Sequence, residues 1–418
     1  MGMASGITGR RSLLRGCRFA VGALIAAGAA LSAQEFMLSD RGAAPLLASD
    51  VAVFKARETR KDIGCTVTPN KPALGFDLKF HTGYDVTVPL KDLAGQDNLL
   101  TTVFRVTPEV RPDEPAYFSQ RTKVPRIDED ARGDAALRGS FDVGEGKYHV
   151  SWLMRDRAGR VCSFDWDMEA SLPARDRQMA LDIPAGAVRA TEKEPFLQEP
   201  PVEREPRDRP LTIKVIVNFA PQDSTSAALK PLDTSALVSI LRSIAREPRI
   251  GRFSMVAFNM QEQRVIYRQR EASQIDFPAL GDALKTLNLG TVDVKQLAQK
   301  HADSEFLSGL MTREIKDDSG DPDAVIIAGP KVTFDDSGPR DSWKQLGGVK
   351  APVFYINYNL NPQVNPWRDA IAGAVRSLKG SEYTVSRPRD LFFAWNEIMS
   401  RIVKSKFERT AGGAPASQ

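Results

Sequence analysis

A proline- and charge-rich segment divides this chain into two parts with different hydrophobic patterns. Residues 190–210 read ATEKEPFLQEPPVEREPRDRP, in which few side chains are suited to a core. Proline stiffens the backbone and charged residues favour solvent, so this composition is typical of an extended, semi-rigid linker. We therefore predict two domains, residues 61–185 and 211–405, joined by a linker over 186–210. Residues 34–60 and 406–418 are predicted to be tails, the second of them disordered.

The first 33 residues have the parts of an export signal in the expected order. Four arginines (10, 11, 15 and 18) form a basic region, an uncharged run from Ala20 to Leu31 follows, and small residues precede Gln34. The run is too short to span a bilayer, so it indicates a cleaved signal peptide over 1–33 and a periplasmic or extracellular protein. The paired Arg10 and Arg11 fit the twin-arginine route, with the Sec route as the alternative.

The positive charge of the chain comes from this signal. The formal net charge is +4, and residues 1–33 hold four arginines and no acidic residue, which leaves no net charge after cleavage. A neutral mature chain gives no electrostatic reason to expect a nucleic acid or an anionic membrane as partner. No later segment approaches the roughly 18 apolar residues of a membrane span, so we expect no transmembrane segment after signal removal.

Hydrophobic and polar residues alternate along several short runs of the first domain. In the clearest pair, Tyr148, Val150, Trp152 and Met154 share one face, and a second alternating run over 161–168 follows a turn that contains Gly159. Alternation with a period of two predicts strands, and two such runs around a glycine turn predict a hairpin. The spacing of the strands predicts an all-β, immunoglobulin-like sandwich.

Two cysteines, Cys65 and Cys162, lie in the first domain. In an oxidising compartment, an even number of cysteines within one domain predicts a disulfide bond. Two buried free thiols are the alternative. A metal site is disfavoured because His81 and His149 lack the spacing of metal ligands.

After the linker, strand-like and helix-like patterns alternate. Strands are predicted at 211–219, 253–258, 264–267, 324–328 and 352–358, and helices near 233–244, 275–287, 294–311, 366–378 and 389–403. Such alternation predicts a doubly wound α/β domain, with a mostly parallel sheet covered on both faces. The predicted fold class is therefore multi-domain, all-β followed by doubly wound α/β.

The second domain resembles a von Willebrand factor A (vWA) domain, in particular those of secreted vWA-related acidobacterial proteins. The resemblance covers about residues 211–405 and rests on the strand 253–258, the Leu289-Gly290-Thr291 turn, and the ending 382–391 that leads into an amphipathic helix. It implies a Rossmann-type fold and a binding face at the carboxyl ends of the strands. We assign Asn218, Thr291 and Pro330 to this face.

The resemblance also implies a metal site that this chain has lost. The metal-dependent adhesion site of the family uses Asp-x-Ser-x-Ser after the first strand, a threonine at the Gly-Thr turn and an aspartate after the fourth strand. Here Asn218, Ala220 and Gln222 take the first three positions, Gly329 or a neighbour replaces the aspartate, and only Thr291 is kept. Neutral groups cannot replace the anionic oxygens that a hard dication prefers, so we expect no metal and no other cofactor.

Recognised catalytic motifs are missing from the sequence. It contains no Gly-x-Ser-x-Gly elbow, no His-Glu-x-x-His, no P-loop and no dinucleotide-binding fingerprint, and its histidines (81, 149 and 301) are scattered. We expect a non-enzymatic protein of the bacterial cell envelope that binds a protein partner, with the partner and oligomeric state unspecified. One alternative is an unrecognised envelope hydrolase, which a pocket with a histidine beside a serine and a carboxylate would favour. The other is a metal-dependent adhesin whose site has shifted to the Asp223 cluster.

Overall fold

The structure is a computed structural model. It describes residues 34–37, 46–95, 98–206, 209–223, 226–289, 301–317, 321–333, 349–361 and 369–412. The predicted signal peptide over 1–33 and the predicted site residue Thr291 lie outside these ranges.

Antiparallel strands form two sheets in the first part of the chain. The five-stranded sheet has the order β1-β5-β4-β7-β8, and its strands are β1 (Gln34–Met37), β4 (Asn98–Pro108), β5 (Ala116–Val124), β7 (Gly146–Arg155) and β8 (Val161–Ala170). The four-stranded sheet has the order β2-β3-β6-β9, with β2 (Thr66–Leu74), β3 (Phe80–Pro89), β6 (Asp134–Val143) and β9 (Val188–Ala190).

The two antiparallel sheets enclose one aromatic core. Tyr84 of β3 meets Trp152 of β7 edge-on, and Phe104 of β4 stacks on Phe118 of β5 at 4.7 Å between ring centroids. The predicted hairpin is present as β7 and β8, paired from Gly146 opposite Ala170 to Arg155 opposite Val161. It forms because alternate side chains of both strands face the core.

A disulfide bond joins the two sheets. Cys65, at the start of β2, is bonded to the buried Cys162 in β8, with their Cα atoms 6.4 Å apart. Helix α1 (Ala48–Ala56), in the segment predicted as a tail, places Phe54 on the outer face of the five-stranded sheet beside Val103 and Leu153. The bond and this helix tie the N-terminal end of the region to its sheets.

A six-stranded mixed sheet forms the centre of the second part, in the order β12-β11-β10-β13-β14-β15. Its strands are β10 (Leu211–Asn218), β11 (Ile250–Asn259), β12 (Arg264–Ala272), β13 (Ala324–Pro330), β14 (Val353–Tyr358) and β15 (Ser381–Val385). Strands β11, β10, β13, β14 and β15 pair in parallel, and β12 is antiparallel to β11. Apart from the buried Lys214 of β10, the central strands are largely apolar on both faces, as burial on both sides requires.

The helices of this part are α2 (Pro231–Ala245), α3 (Phe277–Leu284), α4 (Ala302–Thr312), α5 (Ala370–Ser377) and α6 (Pro388–Gly412). Side chains of α2, α3 and α6 pack with one face of the sheet, and those of α4 and α5 pack with the other. Among the residues that the structure describes, no helix has both the length and the apolar character needed to cross a membrane.

The predicted fold class, an immunoglobulin-like sandwich followed by a doubly wound α/β domain, is wrong. The described chain is mostly β-sheet, in three sheets with few helices, and its C-terminal sheet is mixed. One physical reason lies in the connection from β11 to β12, which spans only residues 260–263. A parallel pair needs a crossover of a dozen or more residues, so this short connection makes an antiparallel hairpin.

The segment predicted as a linker lies against both parts of the chain. On the side of the first part, the Thr191 hydroxyl donates to Oδ1 of Asp142 at 2.7 Å. The side-chain amide of Gln198 donates to the carbonyl of Ile275 at 3.0 Å, and the Arg204 guanidinium donates to the carbonyl of Glu247 at 2.8 Å. Glu199 forms ion pairs with Arg242 of α2 and with Arg246, the residue that follows α2. The side-chain contacts of this proline-rich segment with residues outside it therefore hold it in place.

Candidate functional site

The parallel strands end at one edge of the six-stranded sheet with buried amide side chains. Asn218 ends β10, Asn357 lies near the end of β14, and Asn359 follows β14 directly. The first two are completely buried and Asn359 is 2% exposed. We call these three residues the amide row. Carboxyl ends of parallel strands are where α/β sheets commonly bind ligands.

Asn218, a predicted site residue, is fixed by one hydrogen bond from the neighbouring strand. The backbone N–H of Met260 donates to its Oδ1 at 3.2 Å. Its Nδ2 has no hydrogen-bond partner among the described residues. Gly329 lies beside it with a φ of 152°, and a Cβ at Gly329 would be 2.7 Å from the Cβ of Asn218. A larger residue at position 329 would therefore displace Asn218.

Pro330, also predicted for this face, is buried at the end of β13, opposite Tyr358 of β14. Its carbonyl oxygen lies 3.3 Å from the Tyr355 hydroxyl, whose single proton is closer to Oδ2 of Asp369, at 2.8 Å. The proline thus contributes a backbone acceptor to the interior, and its own ring is not exposed for a partner to contact.

Asn357 and Asn359 extend the row along β14. Asn357 donates through Nδ2 to Oε1 of Glu382 at 3.0 Å, and the Oδ1 of Asn359 accepts from Nε2 of Gln222 at 2.8 Å. Within the described ranges, Oδ1 of Asn357 and Nδ2 of Asn359 have no hydrogen-bond partner. The row therefore presents donors and an acceptor and carries no charge of its own.

Asp369 is a buried carboxylate that follows β14 in the chain and bonds Tyr355 of that strand. It accepts from the Tyr355 hydroxyl at 2.8 Å, from the Val332 N–H at 3.2 Å and from the Ile371 N–H at 3.0 Å, and it caps α5. Burial raises the pKa of Asp369 to about 6, although these hydrogen bonds partly counteract the rise. Its oxygens are engaged in holding α5 to the sheet.

The residues present here do not fit the metal implied by the resemblance. The amide row is neutral, and Asn218 and Asn359 already accept hydrogen bonds through Oδ1. In the described part of the chain, no group of three or more His, Cys, Asp or Glu side chains is arranged to hold a metal ion. Asp223 lies at the exposed surface near this edge, but Ser224 and Thr225 of its cluster lie outside the described residues.

A second cluster lies at the junction of the two parts, around His81. Nδ1 of His81 lies 2.8 Å from Oδ1 of Asp142, and its Nε2 lies 2.9 Å from Oδ1 of Asp77. Burial disfavours the charged ring, but the hydrogen bonds and charges of Asp142 and Asp77 outweigh this and raise the pKa of His81 to about 10. The ring borders a cavity of about 100 Å³, which is also lined by Ser235 and Ser239 of α2.

His149 and His301 lie apart from this cluster. Nδ1 of His149 is 2.7 Å from Oδ1 of Asp167, on a groove of about 660 Å³ at one end of the five-stranded sheet. Lys147 and Glu169 border the same groove and face each other across β7 and β8. His301 precedes α4, and its carbonyl accepts from the Ser304 hydroxyl at 2.9 Å. The structure does not bring the three histidines together.

Sequence reasoning identified Asn218 and Pro330 but missed Asn357, Asn359 and the cluster around His81. Asn357 and Asn359 follow an apolar run predicted as a strand, so two amides spaced two residues apart at its end were an available signal. The pairing of His81 with Asp142, 61 residues away, had no such signal because it depends on the register of β3 with β6.

The chain matches no protein-family model, and no curated protein is similar to it. Among solved structures, a minor pilin, PilB, from Streptococcus sanguinis is 8% identical to this chain. The alignment covers 75% of this chain and 90% of the pilin chain, with a TM-score of 0.29. The structural-genomics target SoR45 is 12% identical. The alignment covers 28% of this chain and 95% of the SoR45 chain, with a TM-score of 0.18. A glycosyl hydrolase family 2 member from Bacteroides cellulosilyticus is 10% identical. The alignment covers 77% of this chain and 38% of the hydrolase chain, with a TM-score of 0.19. Similarity this low establishes neither a fold nor the vWA resemblance.

Proposed function

We propose that this chain is an exported, non-enzymatic scaffold protein of the bacterial cell envelope, and that it binds another protein at the carboxyl edge of its six-stranded sheet. The observation that carries this proposal is the amide row, a set of buried, neutral hydrogen-bonding groups where parallel strands end. Export is supported by the predicted signal over 1–33 and by the disulfide bond between Cys65 and Cys162.

Hydrogen-bond energetics favour a polypeptide partner over an ion at this edge. The unpartnered atoms of the row are buried, which costs about 1–3 kcal/mol each, and a partner would contact the exposed residues beside them. Peptide groups provide one donor and one acceptor each and carry no charge. Exposed Asn361, whose N–H donates to Oδ1 of Asn359, and exposed Thr333 lie next to the row and offer a surface for contact.

The hydrolase alternative would use His81, since it lines a cavity beside serines and carboxylates. A serine hydrolase needs a neutral ring nitrogen that takes the proton from the serine hydroxyl. Both nitrogens of His81 instead lie within hydrogen-bond distance of carboxylates, and its pKa of about 10 keeps the ring protonated at neutral pH. The geometry therefore favours an ionic, structural role for His81.

Site-specific photo-cross-linking in the native host tests the proposed face. A photoreactive phenylalanine analogue is placed at Asn361 or Thr333 on the carboxyl edge, and at Asp321 or Lys350 as matched exposed controls at the amino ends of β13 and β14. We expect both carboxyl-edge positions to capture the same envelope protein, and the two controls to capture little of it. Equal capture from all four positions, or none from the carboxyl edge, would overturn the proposal.

A further inference from the structure

A loop of the first part of the chain inserts an aromatic side chain into the core of the second. Phe76, in the loop 75–79 between β2 and β3, is 7% exposed and belongs to the apolar core around β10, α2 and β14. Its ring meets the ring of Tyr358 edge-on, with centroids 6.2 Å apart and an interplanar angle of 82°. An edge-to-face contact of this kind fixes the orientation of both rings.

Tyr358 lies between two members of the amide row. It is the last residue of β14, and its neighbours in the chain are Asn357 and Asn359. Its hydroxyl donates to Oδ1 of Asp233 at 2.9 Å, in the first turn of α2. Because side chains alternate along a strand, the ring packs on one face of the sheet while Asn357 lies on the other. A displacement of the Tyr358 ring would therefore move the backbone that carries both amides.

Several contacts hold the loop that carries Phe76. The loop is closed by a hydrogen bond from the Gly75 N–H to the Lys79 carbonyl at 2.9 Å, and a Cβ at Gly75 would be 2.4 Å from Nε2 of His81. Asp77 bonds His81, and the buried ammonium group of Lys79 lies 3.1 Å from Oε1 of Glu192.

The same loop is also anchored through its backbone. Leu78 has a φ of 60°, which is uncommon for a residue other than glycine, and its carbonyl accepts from the N–H of Asp182 at 3.1 Å. Asp182 in turn pairs with Arg246, the residue that follows α2, at 3.1 Å. The position of Phe76 is thus determined by both parts of the chain.

We propose that the loop 75–79 positions the binding face, with Phe76 acting through Tyr358 on Asn357 and Asn359. This inference rests on the proposed function for its biological meaning. Its physical basis is that a packed aromatic contact has a small set of arrangements, so loss of the Phe76 ring loosens the end of β14. Phe76 is therefore a positioning residue, and the exposed Asn361 and Thr333 beside the amide row would contact the partner.

Hydrogen–deuterium exchange of the full-length protein tests the positioning role. The reporter is the backbone amide of Asn359, which donates to the Val385 carbonyl at 3.0 Å, and the reference is helix α5 on the opposite face of the sheet. In Phe76→Ala we expect exchange at Asn359 to rise by about tenfold or more through local opening, with little change in α5. Phe76→Leu should restore most of the protection. Phe141→Ala, which truncates a buried ring of the first part, is the matched control.

The proposal is overturned if Asn359 and α5 change by the same factor in Phe76→Ala, or if Phe141→Ala has the same local effect. If Phe76→Ala does not fold, Lys79→Met is compared with the unchanged protein at the same amide, and the absence of a local increase in that variant overturns the proposal. Hydrogen–deuterium exchange can be measured on the protein alone, whereas cross-linking from Asn361 requires the proposed protein partner. A local effect without cross-linking would therefore refute the proposed function and leave the positioning role standing.

Discussion

Nδ1 of His81 and Oδ1 of Asp142 lie 2.8 Å apart, and this contact places a protonated imidazole between two aspartates at the junction of the two parts of the chain. Thr191 also donates to the same carboxylate oxygen at 2.7 Å. The contact therefore joins strands β3 and β6 to the segment predicted as a linker, and its strength depends on the charge of the ring.

The first prediction concerns the pH dependence of stability. The pKa of His81 is about 10 in the folded protein, against an ordinary value of 6.5. Its contribution to stability is fully present below pH 6.5 and is lost as the pH rises through 10. The side chain is 39% exposed, so after solvent screening we expect about 1–2 kcal/mol. Urea unfolding at pH 6 and pH 10 should show this loss in the unchanged protein and a smaller one in His81→Gln. Equal losses in both proteins would contradict the prediction.

The second prediction concerns a buried ion cluster around Glu314, in the helical turn that follows α4. Glu314, whose side chain is fully buried, lies 3.0 Å from the ammonium group of Lys214 and 2.5 Å from the guanidinium of Arg268. Glu314→Gln removes the carboxylate from a buried cation and should destabilise the protein by about 3–5 kcal/mol. Glu271→Gln, in the exposed pair with Arg252, should cost less than about 1 kcal/mol in the same urea titration. A similar cost for both variants would argue against the buried cluster.

The third prediction concerns the disulfide bond between Cys65 and Cys162, which are 97 residues apart in the chain. Closing a loop of this length restricts the unfolded chain, and removal of such a bond typically costs about 2–5 kcal/mol. The Cys65→Ser/Cys162→Ser variant should melt at a lower temperature than the unchanged protein. Adding reductant should lower the melting temperature of the unchanged protein and leave that of the variant as it is. Detection of both thiols in denatured protein purified without reductant would show that the bond does not form.

A fourth prediction concerns divalent cations. Because Asn218, Ala220 and Gly329 provide no anionic oxygen at the carboxyl edge, magnesium and manganese should not bind tightly there. Calorimetric titration of the full-length protein with each ion should show no site of micromolar affinity, and chelator should leave the melting temperature unchanged. A micromolar dissociation constant, which corresponds to about 8 kcal/mol, would instead favour the metal-dependent adhesin, provided that Asp223→Asn abolished it.

The fifth prediction concerns export. The order of basic, apolar and small residues before Gln34 predicts that the first 32–34 residues are removed. Mass spectrometry of protein isolated from the native host should find the new N-terminus in this range, and an intact N-terminus would contradict the assignment. Replacing Arg10 and Arg11 with lysines should block export if the twin-arginine route is used, and should leave it intact if the Sec route is used.

Local elements with strong patterns were predictable in this chain, whereas their arrangement was not. The hairpin of β7 and β8 follows from alternation around Gly159, and β10 follows from a continuous run of apolar, β-branched residues. The doubly wound arrangement was wrong because alternating strands and helices do not reveal strand direction, and the connection over 260–263 reverses the chain.

The sequence by itself determined which residues could be buried, where strands form, and that the carboxyl end of β10 bears an amide, Asn218. Only the tertiary structure decided which distant groups meet: Asn359 with Gln222, His81 with Asp142, and Phe76 with Tyr358. The physical reason is that burial and backbone preference act over a few residues and leave a local pattern. Contacts between residues 61 to 282 positions apart depend instead on register and packing, which no local pattern records.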